Sequence, residues 1–269
     1  MTRDETTAAR AAREIWACWQ AGTVMDRLPE ALRPQTRAEG YAVQAHLAGL
    51  GRDPVFGWKI AATSTAGQAH IGVSGPLAGR LLGQRVFAPD QVLAFGANRM
   101  AVAEPEFAFR VGRRFVPRRA AYTRAEVMEA VEGLHPAIEV PDSRFADFAR
   151  AGEAALIADN ACAHEFVIGP AMADGPGASW RDVDLAAHEV EISVAGGPTH
   201  PGRGANVLDD PRTALTWLVN ELSANGIPVD AGMTITTGTC ATPIPIQPGD
   251  TVTANYGVLG RLEVRFAPA

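Results

Sequence analysis

Three observations predict a mixed α+β protein with a helical N-terminal part. Apolar residues of the N-terminal segment recur at helical spacing, with a glycine stop after the first run and a capping box opening the second. In the C-terminal two thirds, strand-like runs follow one another with helices inserted between them, which disfavours a doubly wound sheet. No G-x-x-x-x-G-K-[ST] loop or G-x-G-x-x-G turn is present, and neither is a G-x-S-x-G elbow or an H-E-x-x-H helix, so the chemistry has to be sought elsewhere.

The 269 residues, 47% hydrophobic and 20% charged, suit one large soluble domain or two small ones. A formal net charge of -6 argues against a general binder of nucleic acid or anionic membranes. The one local basic run, Arg113, Arg114, Arg118 and Arg119, reads as a solvated hairpin or loop. No apolar run approaches membrane-spanning length, and the opening Met-Thr-Arg-Asp-Glu lacks the apolar region of a signal peptide. Cys18, Cys162 and Cys240 are odd in number and far apart, which reads as free thiols in a reducing compartment, with the cytoplasm expected.

In chain order, Ala8, Ala11, Ala12, Ile15, Trp16 and Trp19 mark a helix over residues 4–21 that stops at Gly22. Thr36-Arg-Ala-Glu39 is a capping box opening a second helix toward Gly49. Residues 55–63 form an apolar strand around Lys59, and 64–72 a short helix between Ser64 and Gly72. Strands are predicted at 85–95 and 100–111. Thr123-Arg-Ala-Glu126 caps a helix running through Val127, Met128, Val131 and Leu134. Strands follow at 164–169 and 183–194, with a Gly/Pro/Asp loop at 173–178. His164 and His188 lie in or beside strands as packed or surface residues, since no second histidine sits at metal spacing. Asp210-Pro211 opens a helix that Asn225-Gly226 closes; the Thr-rich run Met233 to Cys240, a Gly-Asp turn at 249–250 and two final strands at 251–256 and 261–266 complete the chain.

Glu104 and Glu106 are the centre of interest. Two positions apart in a strand, they point from the same face. Two carboxylates buried together need a cation or a shared proton, and a divalent metal held by oxygen ligands is the simplest such partner; a solvated strand edge is the alternative. Glu139, alone between Ile138 and Val140, is either an outward strand residue or an inward ligand. Among the 24 Lys and Arg residues, Lys59 is the one lysine. Its compact ammonium, whose pKa falls readily on burial, suits proton transfer or contact with an enolate in a way that guanidinium does not. The alternative is a lysine snorkelling from a half-exposed strand.

These residues belong to a longer pattern: Gly57-Trp-Lys-Ile with Thr63-Ser64 and Gly72-Val73, Glu104-Pro-Glu106, Ala137-Ile-Glu-Val with Asp142-Ser-Arg144, Ala158-Asp-Asn-Ala161, Gly226-Ile-Pro with Ala231-Gly232, and Gly249-Asp250 with Gly257-x-x-Gly260. In this the chain resembles the 2-keto-4-pentenoate hydratase family of the fumarylacetoacetate hydrolase superfamily along nearly its whole length. The resemblance implies a mixed β-roll core over residues 85–269 and an N-terminal helical part, carrying the Lys59 strand, over 1–84. It implies a Mg2+ or Mn2+ site at Glu104, Glu106 and Glu139, with Lys59 as the active-site lysine. Lys59, Cys162, Thr237 and Thr239 would contact a small-molecule 2-oxo acid. The implied activity is a metal-dependent hydratase-like lyase on a short 2-oxo or 2-hydroxydienoic acid, in catabolism of aromatic-type compounds; a closed homo-oligomer is the default expectation for a soluble chain of this kind. The rivals are a 4-oxalocrotonate-type decarboxylase, which shares the enolate chemistry, and a catalytically silent partner subunit. Two positions depart from the family pattern: Leu77 stands where hydratases usually carry an acid, and Cys162 where they usually carry serine.

Overall fold

The structure is a computed structural model describing residues 6–89, 91–175 and 178–269. Residues 1–5, Asp90 within the expected 85–95 strand, and residues 176 and 177 within the expected 173–178 loop lie outside the described residues.

The N-terminal helices form where their caps place them. Helix α1 (Thr7–Ala21) starts at Thr6, whose hydroxyl accepts from the Ala9 N–H, and stops at Gly22, whose φ of 62° is left-handed. Helix α2 (Arg37–Ala48) carries the complete capping box of Thr36 and Glu39. Ala11, Ala12, Ile15 and Trp19 of α1 pack with Val43 and Leu47 of α2, and with Phe145 and Ala158 further along the chain. Next come β1 (Val55–Ala61), α3 (Thr65–Ile71), β2 (Leu77–Leu82), β3 (Val86–Phe87), β4 (Val92–Leu93), β5 (Val102–Val111), α4 (Arg124–Glu129), β6 (Val131–Val140), α5 (Glu153–Ala158) and β7 (Glu165–Ile168). A short pair, β8 (Asp174–Gly175) and β9 (Ala178–Ser179), precedes β10 (Glu189–Val194), β11 (Thr199–Arg203), α6 (Pro211–Ala224), β12 (Thr234–Thr239), β13 (Ile244–Pro245), β14 (Thr251–Asn255) and β15 (Arg261–Phe266).

The strands make two main sheets. The larger runs β2-β1-β12-β5-β6-β7-β3 with β13 on β5, and the smaller β11-β10-β14-β15-β4. Both are mixed: β1 with β12, β3 with β7 and β15 with β4 are parallel pairs, the rest antiparallel. Strands β2 and β3 end the larger sheet at opposite edges, yet only the 3-10 turn Gly83–Arg85 joins them in sequence. The sheet therefore curls back on itself, and Leu81 of β2 shares one apolar cluster with Ala108, Ala137 and Phe166 of β5, β6 and β7. The other face carries the main core, where Trp58, Ile60, Phe107, Phe109, Ile138 and Ile235 meet α6 and the second sheet. Strands β1 and β2 lie within this sheet, so the 84/85 division falls just after β2, inside the turn to β3.

Several elements depart from the sequence expectation. Strand β2 was not anticipated, because all six of its residues are buried and Leu-Ala-Gly-Arg-Leu-Leu shows no alternation. The 85–95 strand is two short pieces in different sheets, separated by a turn in which Ala88 and Gln91 bond to each other. Helix α4 stops at Glu129 instead of reaching Leu134, since Gly133 and Pro136 favour extended backbone and the β5 ladder takes up Val131 onward. The 183–194 strand begins only at Glu189, because Asp184 accepts from the N–H groups of Ala186 and Ala187 in an Asx turn. The arginine run is solvated as expected, pairing with Glu129, Asp230 and Glu126 at the surface. No helix among the described residues is long and apolar enough to cross a membrane.

Candidate active site

Residues directly opposite in a ladder share a face of the sheet. Glu104 sits opposite Glu139 and Glu106 opposite Ala137 across β5 and β6. Thr236 is opposite Ala108, Gly57 opposite Thr234, Lys59 opposite Gly79 and Ala61 opposite Leu77. Five strands thus bring Lys59, Leu77, Glu104, Glu106, Glu139 and Thr236 to one face, the inner side of the curled sheet. Glu139, left open by alternation alone, points to the glutamate pair: the three side chains offer carboxylate oxygens all within 4.8 Å of one another, the one such group of three potential metal ligands among the described residues.

The cluster is dry. Glu106 is 0% exposed, Glu139 1% and Lys59 3%, while Glu104 is half-buried. Lys59 Nζ lies 3.0 Å from Glu139 Oε1, an ion pair without hydrogen-bond alignment, and donates to the Ala161 carbonyl at 3.0 Å. Glu106 Oε1 and both oxygens of Glu139 are buried without a hydrogen-bond partner. Glu106 Oε2, by contrast, accepts from Thr236 Oγ1 and from the Gly238 N–H at 2.9 Å.

Burial pushes all three carboxyls up. Glu104 reaches about 7, through burial first and Glu139 second, with Lys59 opposing. Glu106 is raised well above the usual range by burial and by Glu139 and Glu104 together. Glu139 is raised by burial, with Lys59 pulling it back. Burial on its own would lower the Lys59 pKa, as its strand position suggests, but the carboxylates of Glu139, Glu104 and Glu106 outweigh it and raise the pKa instead. In this arrangement Lys59 is held as its ammonium form and not as a free base.

The turn beneath Lys59 is strained. Asn160, Ala161 and Cys162 have φ of 57°, 51° and 60°, three successive non-glycine residues in the left-handed region. It is held from both sides. The Asn160 amide accepts from the Arg80 N–H and donates to the Arg80 carbonyl, both at 2.7 Å. Gly79 makes this approach possible, since a Cβ there would lie 2.2 Å from the Asn160 carbonyl oxygen. On the other side Asp159, fully buried, pairs with Arg144 and accepts from Ser143 Oγ at 2.6 Å. The turn places Cys162, 9% exposed, near enough to Lys59 to feel its charge; burial, with Asp159, pushes the thiol up to about 12, so it stays protonated.

The two expected threonines face other partners. Thr237 Oγ1 donates to the Phe107 carbonyl at 3.0 Å, and Thr239 Oγ1 to that of Ala241 at 2.7 Å. Their neighbour Thr236 is the one that reaches a glutamate, because it stands opposite Ala108, on the same face as Glu106 and diagonal to it. His164 and His188 are packed as expected: His164 Nδ1 accepts from Trp19 Nε1 at 3.0 Å, and His188 Nε2 lies 2.6 Å from the Tyr256 carbonyl. Cavities of about 500 Å³ (residues 53–56, Gly83 and 230–233) and about 330 Å³ (around Trp19, Arg85, Arg144 and Glu165) open elsewhere on the surface and include none of the carboxylate cluster.

The profile of the Fumarylacetoacetate (FAA) hydrolase C-terminal family matches residues 42–267. This chain belongs to the fumarylacetoacetate hydrolase family. Within that family it is 28% identical to a 2-keto-4-pentenoate hydratase of Paraburkholderia xenovorans (strain LB400), over 95% of this chain and 93% of the relative. It is 29% identical to a 4-oxalocrotonate decarboxylase of Pseudomonas putida, over 79% of this chain and 77% of that one. The solved 4-oxalocrotonate decarboxylase from Pseudomonas putida G7, complexed with magnesium and adipate, superposes with a TM-score of 0.86 at 26% identity, covering 98% of this chain and 100% of that chain. The mixed sheets and helices are those of a fumarylacetoacetate hydrolase-like α+β fold.

Proposed function

We propose that this chain is a metal-dependent lyase acting on a short 2-oxo or 2-hydroxydienoic acid. The observation that carries the reading is the meeting of three carboxylates in a buried site where Glu106 Oε1 and Glu139 Oε2 have no hydrogen-bond donor and Glu139 Oε1 has only the ion pair to Lys59. An all-oxygen donor set of this kind fits a hard divalent cation, with Mg2+ or Mn2+ the proposed ions and Glu104, Glu106 and Glu139 the residues that would hold it. When bound, such a cation supplies Lewis acidity toward the oxygens of a 2-oxo acid. Lys59 Nζ holds a proton beside that position and is suited to give it to carbon or oxygen as charge develops on the substrate. The Ala161 carbonyl fixes the ammonium, and the buried surroundings keep bulk water from competing for it.

Decarboxylation is the second reading, favoured by Leu77. It lies on the Lys59 face, 1% exposed and apolar, and offers nothing to activate a water molecule. The discriminating experiment strips the protein with EDTA, restores Mg2+ or Mn2+, and follows three reactions: proton exchange at C3 of simple 2-oxo acids in D2O, hydration of 2-hydroxypenta-2,4-dienoate, and CO2 release from a 2-oxo diacid. The expected result is metal-dependent exchange accompanied by one of the other two. A protein that retains no metal and catalyses none of the three is a silent subunit, and the proposal fails.

A further inference from the structure

We infer that Thr236, with the bulge that follows it in β12, is a positioning residue that fixes Glu106 as a one-oxygen ligand; this rests on the metal reading above. The two oxygens of Glu106 have opposite surroundings. Oε2 is fully engaged by the Thr236 hydroxyl and the Gly238 N–H, whereas Oε1 is buried with no donor at all. A carboxylate free to rotate in a buried site would share its donors or offer both oxygens. This one is clamped on one side and keeps the other oxygen without a donor, in a side chain whose carboxylate lies within 4.8 Å of those of Glu104 and Glu139.

The clamp follows from a local break in the sheet. Up to Thr236 the β12–β5 ladder is regular, with Thr234 opposite Arg110 and Thr236 opposite Ala108; it resumes only at Thr239 opposite Glu106, leaving one residue too many on β12. Bulges of this kind re-aim a backbone group, and here the Gly238 N–H leaves the ladder and meets the glutamate side chain. The position must be glycine: its φ is 96°, and a Cβ would come within 2.4 Å of Thr63 Oγ1. Thr237 anchors the bulge by donating to the Phe107 carbonyl. Thr236 is the member of this device that can be altered without rebuilding the backbone.

Removal of a side chain that orients a ligand costs ~10- to 100-fold in metal affinity. Thr236→Val keeps the branched shape and deletes the hydroxyl, while Thr236→Ser keeps the hydroxyl and deletes the methyl. Mn2+ binding to the metal-free protein, read by electron paramagnetic resonance of free Mn2+, should weaken by that factor in Thr236→Val and stay within about threefold of wild type in Thr236→Ser. Far-UV circular dichroism and urea midpoints in EDTA establish that each variant is folded; if Thr236→Val unfolds, the serine variant and Thr236→Ala carry the comparison. Wild-type affinity in Thr236→Val, or equal loss in valine and serine variants, overturns the assignment. Absence of Mn2+ binding by the wild type instead sinks the metal reading and is recognisable as such before any variant is made.

Discussion

Glu104→Gln exposes the electrostatic cost of the metal-free site most clearly. In the folded protein the Glu104 carboxyl titrates near 7, raised by burial and by Glu139 against the pull of Lys59, compared with 4.5 for an ordinary glutamate. Between those two values the folded state binds a proton that the unfolded chain releases, so this group destabilises the fold progressively as pH rises through the window. At about 1.4 kcal/mol per pH unit, the interval amounts to about 3 kcal/mol by pH 8. Gln imitates the protonated form and removes that dependence. In EDTA, urea denaturation of the variant and the wild type should give similar relative stabilities near pH 4, with the variant pulling ahead as pH rises, by up to about 3 kcal/mol at pH 8. Saturating Mn2+ should reverse the order at pH 8, because the cation binds the ionised carboxylate that the variant lacks. A stability difference that is flat across pH, or one in which the wild type gains on the variant with rising pH in EDTA, would refute the reasoning.

Lys59→Arg keeps a positive charge but gives up no proton, so turnover should fall ~10²- to 10⁴-fold with Mn2+ still bound; near-normal turnover would reduce Lys59 to a structural cation. Arg144→Met leaves Asp159 fully buried without its counter-charge, and chemical denaturation should show a loss of about 3 to 5 kcal/mol. A loss under about 1 kcal/mol would mean that the pair does not hold the 159–162 turn. Leu77→Asp tests the apolar wall beside Lys59: if hydration of 2-hydroxypenta-2,4-dienoate is slow in wild type for want of an acid, the substitution should accelerate it. Fast wild-type hydration that the aspartate leaves unchanged or lowers would assign the water to another group.

Much of the site could be read from the chain because its parts are local. Glu104 and Glu106 share a face by strand parity alone, and the scarcity of lysine singled out Lys59 without any contact being known. Glu139 needed the register of β6 on β5, a long-range fact that its own alternation with Ile138 and Val140 does not encode. Thr236 is illegible for a related reason: its place opposite Ala108 is a long-range pairing, and the register slip that turns the Gly238 N–H toward Glu106 is invisible in a run of small polar residues, where Thr237 and Thr239 look equally suitable. The helix starts at Thr36, Ser64, Thr123 and Asp210 were legible because capping is decided within a few residues. The extent of α4 and the existence of β2 were not, since sheet pairing overrides helical periodicity in the first and full burial erases alternation in the second.

The most direct test of the central claim is a crystal structure of the protein soaked with Mn2+ and oxalate, a stand-in for the enolised 2-oxo acid, with the ion located by its anomalous signal. The expected result is one strong peak about 2 to 2.6 Å from a carboxylate oxygen of each of Glu104, Glu106 and Glu139, with oxalate on its open side within hydrogen-bonding reach of Lys59 Nζ. A peak lacking Glu139, or Mn2+ and oxalate bound only away from this cluster, would contradict it.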